Sequence, residues 1–272
     1  MTTTDSRSDT TFDEASLWPV AEALADIARV QTLAHFRKAT KIESKTEDYD
    51  PVTEGDRSAE AAMRAHLQLH RPQDAILGEE YGQTPGTSGL TWILDPIDGT
   101  RGYVSGTPTW GVLIAVSDDD GPRIGVIDQP YIGERFMGGP TRAAMTGPLG
   151  KADLKVKTTT TLAEATILTT FPEVGTSQER AGFEAVASRC KLTRYGMGCY
   201  GYALLAAGQV DLVIEAGLQS YDIAAPIAVI EAAGGIVTDW SGGPAHNGGR
   251  ALAAATPELH AAAMELIAEA LG

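Results

Sequence analysis

Between Glu14 and about Lys38, apolar residues fall at Leu17, Val20, Ala21, Leu24, Ile27, Ala28 and Leu33. That three-to-four-residue spacing predicts an amphipathic first helix. A polar, loop-like stretch over 45–52 follows. Gly55 and Asp56 then introduce a second helical pattern carrying Ala59, Ala62, Met63 and Leu67, with Asp56 placed as a cap or first-turn acid. The pattern next changes to short apolar runs bounded by turn residues: AIL, TWILD, WGVLIAVS, RIGVID and ERFMG. These predict a sheet, with Leu94 ending one strand and Pro96 turning the chain away from it. Gly and Pro gather between Pro140 and Lys151, a signal for a boundary between halves. Beyond it the strand-like ATILTT, KLTRY, QVDLVIEA and GIVTDW alternate with helical stretches over 183–190, 202–207 and 222–233, and PELHAAAMELIAEAL closes the chain. The expected division is a flexible tail over 1–13, an α+β half over 14–147 and an α/β half over 148–272.

Composition narrows the function classes. A chain of 272 residues with 43% hydrophobic content can bury a proper core. Its formal net charge of -15 argues against non-specific nucleic-acid binding and against binding to anionic membranes, both of which need basic patches. Cys190 and Cys199, the two cysteines, form neither a disulfide framework nor a CxxC pair. No apolar run approaches the ~20 residues of a spanning helix, and the first residues lack a secretory pattern. A cytoplasmic protein is expected.

The chemistry concentrates in DPIDGTRG, Asp95 to Gly102, where two carboxylates follow the apolar Trp92, Ile93 and Leu94. Buried charge without a partner is expensive, so a cation is implied. Gly99 and Thr100 can open a helix or turn whose free N–H groups suit a phosphate. Oxygen-only ligands select a hard cation, with Mg2+ the expected metal. Further acids stand in GEE (Glu79, Glu80), at Asp56 and in SYDIAAP, where Asp222 opens a helix. Taken singly, Asp98 and Asp222 are better explained as helix caps and Glu79-Glu80 as an exposed turn; together they are harder to dismiss. A competing signal is GMGCYG, residues 196–201, which satisfies GxGxxG and would suit an NAD-dependent oxidoreductase; KLTRY before it makes a poor buried strand. His66 and His70 have zinc-pair spacing without the HExxH glutamate, and Ser105 lies outside a GxSxG elbow. Tyr103 and Trp110 read as packing residues flanking the site.

The motifs DPVTEGD, GEE, WILDPIDGT and YDIAA, in this order, resemble the inositol monophosphatase family of Mg2+-dependent phosphomonoesterases. The resemblance implies an α/β (α+β layered) fold, an α/β/α/β sandwich shared with fructose-1,6-bisphosphatase. It implies two or three Mg2+ ions per site: one on Glu79, Asp95 and the Ile97 carbonyl, a second on Asp95, Asp98 and Asp222, and a weaker third near Glu79 and Asp56. Thr100 with Asp56 or Glu79 would orient the attacking water, and the Gly99 and Thr100 amides would hold the phosphate. Lys45 and Glu80 are further candidates, Lys45 matching a family lysine. A small phosphorylated metabolite, a homodimer and sensitivity to lithium are also implied. The stretches GVIDQPYIGERF, RYGMGCYGYALLAAGQVDLVIEAGLQSYD and AVIEAAGGIVTDW look most like the histidinol-phosphate phosphatase branch, with Glu215 at a position that contacts the substrate alcohol. That branch reads R-[FY]-G-G-D-C-Y where this chain has RYGMGCY. Gly198 thus stands where a carboxylate suited to an amine is expected, which leaves inositol 1-phosphate or another polyol or sugar phosphate as the alternative substrate.

Overall fold

The apolar stripe of the first helix forms α1 (Glu14–His35), which buries Leu17, Leu24 and Ala28 and ends three residues before the expected Lys38. The structure, a computed structural model, describes residues 13–38, 42–44, 51–171 and 173–272. The expected tail lies almost wholly outside the described residues, as does Lys45. A two-stranded ribbon, β1 (Ile42–Ser44) and β2 (Pro51–Thr53), leads into α2 (Glu54–His70). Thr53 starts that helix with a reciprocal cap: its hydroxyl accepts from the Gly55 N–H, and the Asp56 carboxylate accepts from the Thr53 N–H.

The alternating runs then build strands β3 (Ala75–Gly78), β4 (Gly82–Thr84) and β5 (Thr91–Asp98), the short helix α3 (Thr100–Val104), and β6 (Gly111–Asp118), β7 (Gly121–Gln129), β8 (Glu134–Gly139), β9 (Arg142–Gly147) and β10 (Gly150–Asp153). Among the described residues these strands form an eight-stranded sheet in the order β10-β9-β8-β7-β6-β5-β3-β4. The second half supplies β11 (Thr166–Thr169), α4 (Ser177–Ala187), β12 (Leu192–Tyr195), α5 (Cys199–Ala206), β13 (Leu212–Leu218), α6 (Ser220–Ala232), β14 (Ile236–Thr238), β15 (Gly249–Ala254) and α7 (Pro257–Leu271). Its five-stranded sheet runs β12-β11-β13-β15-β14.

Side-chain parity stacks the layers. On β5 and β6, Trp92, Leu94, Val112 and Ile114 face α1 and α2 through Leu17, Leu24, Met63 and Leu67. Ile93, Leu113 and Ala115 face the other way, onto Ile223 and Ile230 of α6 and Tyr202 and Leu205 of α5. The same apolar layer reaches Leu168, Val213 and Ala253 of the smaller sheet. Helices α4 and α7 cover the outer side of that sheet with Phe183, Val186, Leu259 and Ile267. The expected α/β/α/β layers are therefore present, and α4 with α7 closes them.

Three local readings change. Leu94 does not end its strand: β5 continues to Asp98, with an irregular register between Asp95 and Asp98. Pro96 sits in that irregularity, where its missing N–H breaks no regular ladder. The Gly- and Pro-rich stretch over 140–151 is largely the β9–β10 hairpin, its glycines marking the turns. The division expected between 147 and 148 falls inside this hairpin, which carries the large sheet through Asp153. Finally, β15 is built from the alanine-rich GRALAA, which lacks the β-branched residues that signal a strand. Among the described residues no helix is long and apolar enough to cross a membrane.

Candidate active site

Strands β3 and β5 run parallel, with Gly78 opposite Leu94. The residues immediately beyond that pair are Glu79 and Asp95, so the parallel pairing delivers the GEE and DPID acids to one sheet end; the Glu79 N–H donates to the Leu94 carbonyl. Asp95 shares the parity of Ile93 and so faces the α6 side. There Asp222, in the first turn of α6, has its carboxylate fixed by the Gln219 N–H at 2.6 Å. The β5 irregularity brings Asp98 to the same place. One oxygen each from Asp95, Asp98 and Asp222 lie within 4.8 Å of one another. Glu79 joins them within hydrogen-bonding reach of Asp95.

Such a cluster is electrostatically unfavourable without a cation. Burial first, then Glu79, Asp98 and Asp222, push the Asp95 carboxyl well above the usual carboxylate range. Burial and Asp98 raise Asp222 to about 8. Asp98 is raised by burial, against the Cys199 N–H, which donates to its Oδ2 at 2.7 Å. Close, desolvated carboxylates form an all-oxygen donor set that fits a hard divalent cation.

The four acids line a cavity of about 570 Å³ together with Ile97, Gly99, Thr100, Thr170, Phe171, Gly198 and Glu215. The Thr100 hydroxyl donates to the Ile97 carbonyl at 3.0 Å, a bond in which its own oxygen keeps the capacity to accept. Gly99, at φ 80°, takes the left-handed turn that opens α3. Glu215 is buried on β13; its carboxylate accepts from the Thr170 N–H and hydroxyl at 2.7 Å and from the Thr169 hydroxyl at 3.0 Å. Burial still raises it to about 7.

Two expected acids stand behind the wall of this cavity. Asp56 is buried one turn into α2, where Thr53 donates to it from both N–H and hydroxyl. Burial lifts it to about 7, with Glu80 and Glu79 adding repulsion. Glu80 turns its backbone N–H to the Glu60 carboxylate at 2.7 Å. Sequence reasoning missed Glu60. Fully buried, it also accepts from Tyr81 N–H and Arg64 Nε and so fixes the turn that presents Glu79. Its position on the inner face of α2 was the one available signal. Tyr103 and Trp110 pack edge to face at 4.8 Å beside Ile97, as packing residues.

The glycine motif over 196–201 serves a different end from the dinucleotide reading. Gly198, at φ 50°, turns the chain into α5, and the first N–H of that helix is taken by Asp98. A Cβ at 198 would stand 3.1 Å from the Asp98 carboxylate. The helix start that would receive a pyrophosphate already holds an acid. The preceding β12 is a largely exposed edge strand, unlike the buried strand a dinucleotide site needs.

The fold and this acid-lined cavity define a phosphoric monoester hydrolase. The chain belongs to the inositol monophosphatase family, whose family model matches residues 13–271. It is 40% identical over 237 residues to the chloroplastic bifunctional phosphatase IMPL2 of Arabidopsis thaliana, covering 86% of this chain and 67% of that protein. It is 36% identical over 249 residues to a histidinol-phosphatase of Streptomyces coelicolor, covering 89% and 92%. Among solved structures, an inositol monophosphatase from Zymomonas mobilis superposes with a TM-score of 0.82 at 36% identity, covering 92% of this chain and 96% of that one.

Proposed function

We propose that the chain hydrolyses L-histidinol phosphate to L-histidinol and phosphate in a Mg2+-dependent reaction, as a step in making histidine. The observation that carries the chemistry is the convergence of Asp95, Asp98 and Asp222 within 4.8 Å, with Glu79 beside them. These four acids and the Ile97 carbonyl would hold two Mg2+ ions, with a third near Glu79 and Asp56. Bound there, Mg2+ supplies a water of lowered pKa and neutralises charge on the departing oxygen. Thr100 accepts one hydrogen bond from the water, and Glu79, backed by Asp56, takes its proton. The Gly99 and Thr100 amides orient the phosphate oxygens. Water oxygen bonds to phosphorus, the P–O bond to the alcohol breaks, and the departing alkoxide takes a proton from solvent, to which Glu79 returns the one it accepted.

The substrate choice is supported by the likeness to a histidinol-phosphatase of Streptomyces coelicolor, 36% identical over 249 residues. Against it stands Gly198, which supplies no carboxylate for an amine. Glu215 remains as the buried acid on the leaving-group side. A neutral polyol phosphate such as inositol 1-phosphate is the second reading, favoured by that glycine. Phosphate release should be measured with Mg2+ on histidinol phosphate, inositol 1-phosphate, fructose 1,6-bisphosphate and 3'-phosphoadenosine 5'-phosphate. Histidinol phosphate should give the highest kcat/KM, and a faster inositol phosphate would overturn the choice. Asp95→Asn should remain folded and lose more than about 100-fold, exceeding the 10–100-fold typical of residues that only support a metal ligand.

A further inference from the structure

Away from the acids, the cavity is walled by an aromatic ring that the proposed chemistry leaves unused. Phe171 follows β11 and lines the cavity while 43% of its surface stays exposed. Its position is set from both sides of the molecule. Thr169 and Thr170, immediately before it, are tied to Glu215 by three hydrogen bonds of 2.7–3.0 Å. From the other half, the Arg101 guanidinium of α3 lies 4.9 Å from the ring centroid, in cation–π contact. Arg101 is the residue after Thr100, so one short helix links the phosphate end of the cavity to the aromatic wall.

We infer that Phe171, braced by Arg101, is a specificity-determining platform for a planar ring on the leaving alcohol. The inference rests on the phosphatase reading above and specifies its substrate class: a phosphate ester whose alcohol carries an aromatic or heteroaromatic ring. An aromatic face offers contact area and no conventional hydrogen bond. A hydroxyl of a polyol set against it loses water without replacement, whereas an imidazole stacks and keeps its polar edge free. The exposed part of Phe171 is therefore matched to a ring-bearing alcohol. This gives the cavity a selectivity that does not depend on an amine-binding carboxylate at position 198.

The test compares Phe171→Leu and Phe171→Tyr with wild type in Mg2+-dependent phosphate release from histidinol phosphate, inositol 1-phosphate and glycerol 2-phosphate. Phe171→Leu should raise KM for histidinol phosphate roughly threefold to tenfold, the range of one aromatic contact. Its kcat should stay within about twofold, and the two polyol esters should be unaffected. Phe171→Tyr should restore the wild-type KM. A KM that rises equally for all three esters, or for none, overturns the platform. Titration of histidinol into enzyme with Mg2+ and inorganic phosphate reads the platform without turnover. Affinity lowered by Phe171→Leu supports it, and unchanged affinity removes it. A wild type that releases phosphate from no ester instead sinks the phosphatase reading, so the two failures are separate.

Discussion

Gly78 shows how one residue can govern the placement of an acid that lines the cavity. A Cβ there would collide with the Glu60 carboxylate. Glu60 cannot yield freely, because Arg64 and the Glu80 and Tyr81 N–H groups hold it in a fully buried site. Gly78→Ala should therefore destabilise the protein by about 1–3 kcal/mol through overpacking. It should also lower phosphate release further than stability alone explains, because the shift passes to Glu79. Denaturant unfolding and turnover on the same sample check both, and a fully active, fully stable variant would refute the argument. The sequence announced Glu79 through GEE but marked Glu60 only by its place on the inner face of α2, and a Glu inside an amphipathic helix ordinarily reads as a solvated residue. Similarly, the sequence offered Cys199 only as one of two cysteines, and its N–H contact with Asp98 depends on a residue of the other half.

At the scale of elements, local chemistry explains most boundaries. Helix α4 begins with a capping box in which Thr176 and Glu179 each accept the other's backbone N–H, and Arg250 of β15 pairs with Glu179 at 2.8 Å. The Thr176 N–H first, then Arg250, hold the Glu179 carboxyl below its ordinary 4.5. A depressed carboxyl stabilises the fold at pH above its unfolded value and ceases to do so as pH falls through the folded one. Glu179→Gln should thus cost about 1 kcal/mol at pH 7, with the difference from wild type shrinking below about pH 4.5. Denaturation midpoints at pH 7 and pH 3.5 measure this; a gap that persists at the lower pH would show that charge is not the cause. Helical periodicity and caps act over a few residues, which is why α2, α6 and α7 could be read within a turn or two. The continuation of β5 past Pro96 could not, because only pairing with β6 carries the strand across that irregularity.

For the whole molecule, the decisive arrangement is the middle layer, where α5 and α6 lie between the two sheets and bring their first turns to the end of β5. Removing the divalent ion should leave an acidic cluster in self-repulsion, so Mg2+ should raise the melting temperature. At a hundredfold excess over Kd the gain is about 2.7 kcal/mol, or roughly 5–10 °C for a chain of this size. Protons compete for the same oxygens, so the shift should shrink as pH falls below about 8, the value to which Asp222 is raised. Calorimetry with Mg2+ and with EDTA tests this, and Asp222→Asn should abolish most of the shift. By itself the sequence determined the inventory: the acids, the glycine turns, the amphipathic faces and the family motifs, all encoded within spans of a few residues. Only the tertiary structure decided that β3 and β5 pair in parallel, that Asp98 occupies the start of α5 and that Phe171 meets Arg101 across the cavity. Those contacts join residues far apart in the chain, and what selects them is the burial of two sheet faces against shared helices, a property of the assembled layers that no local stretch carries.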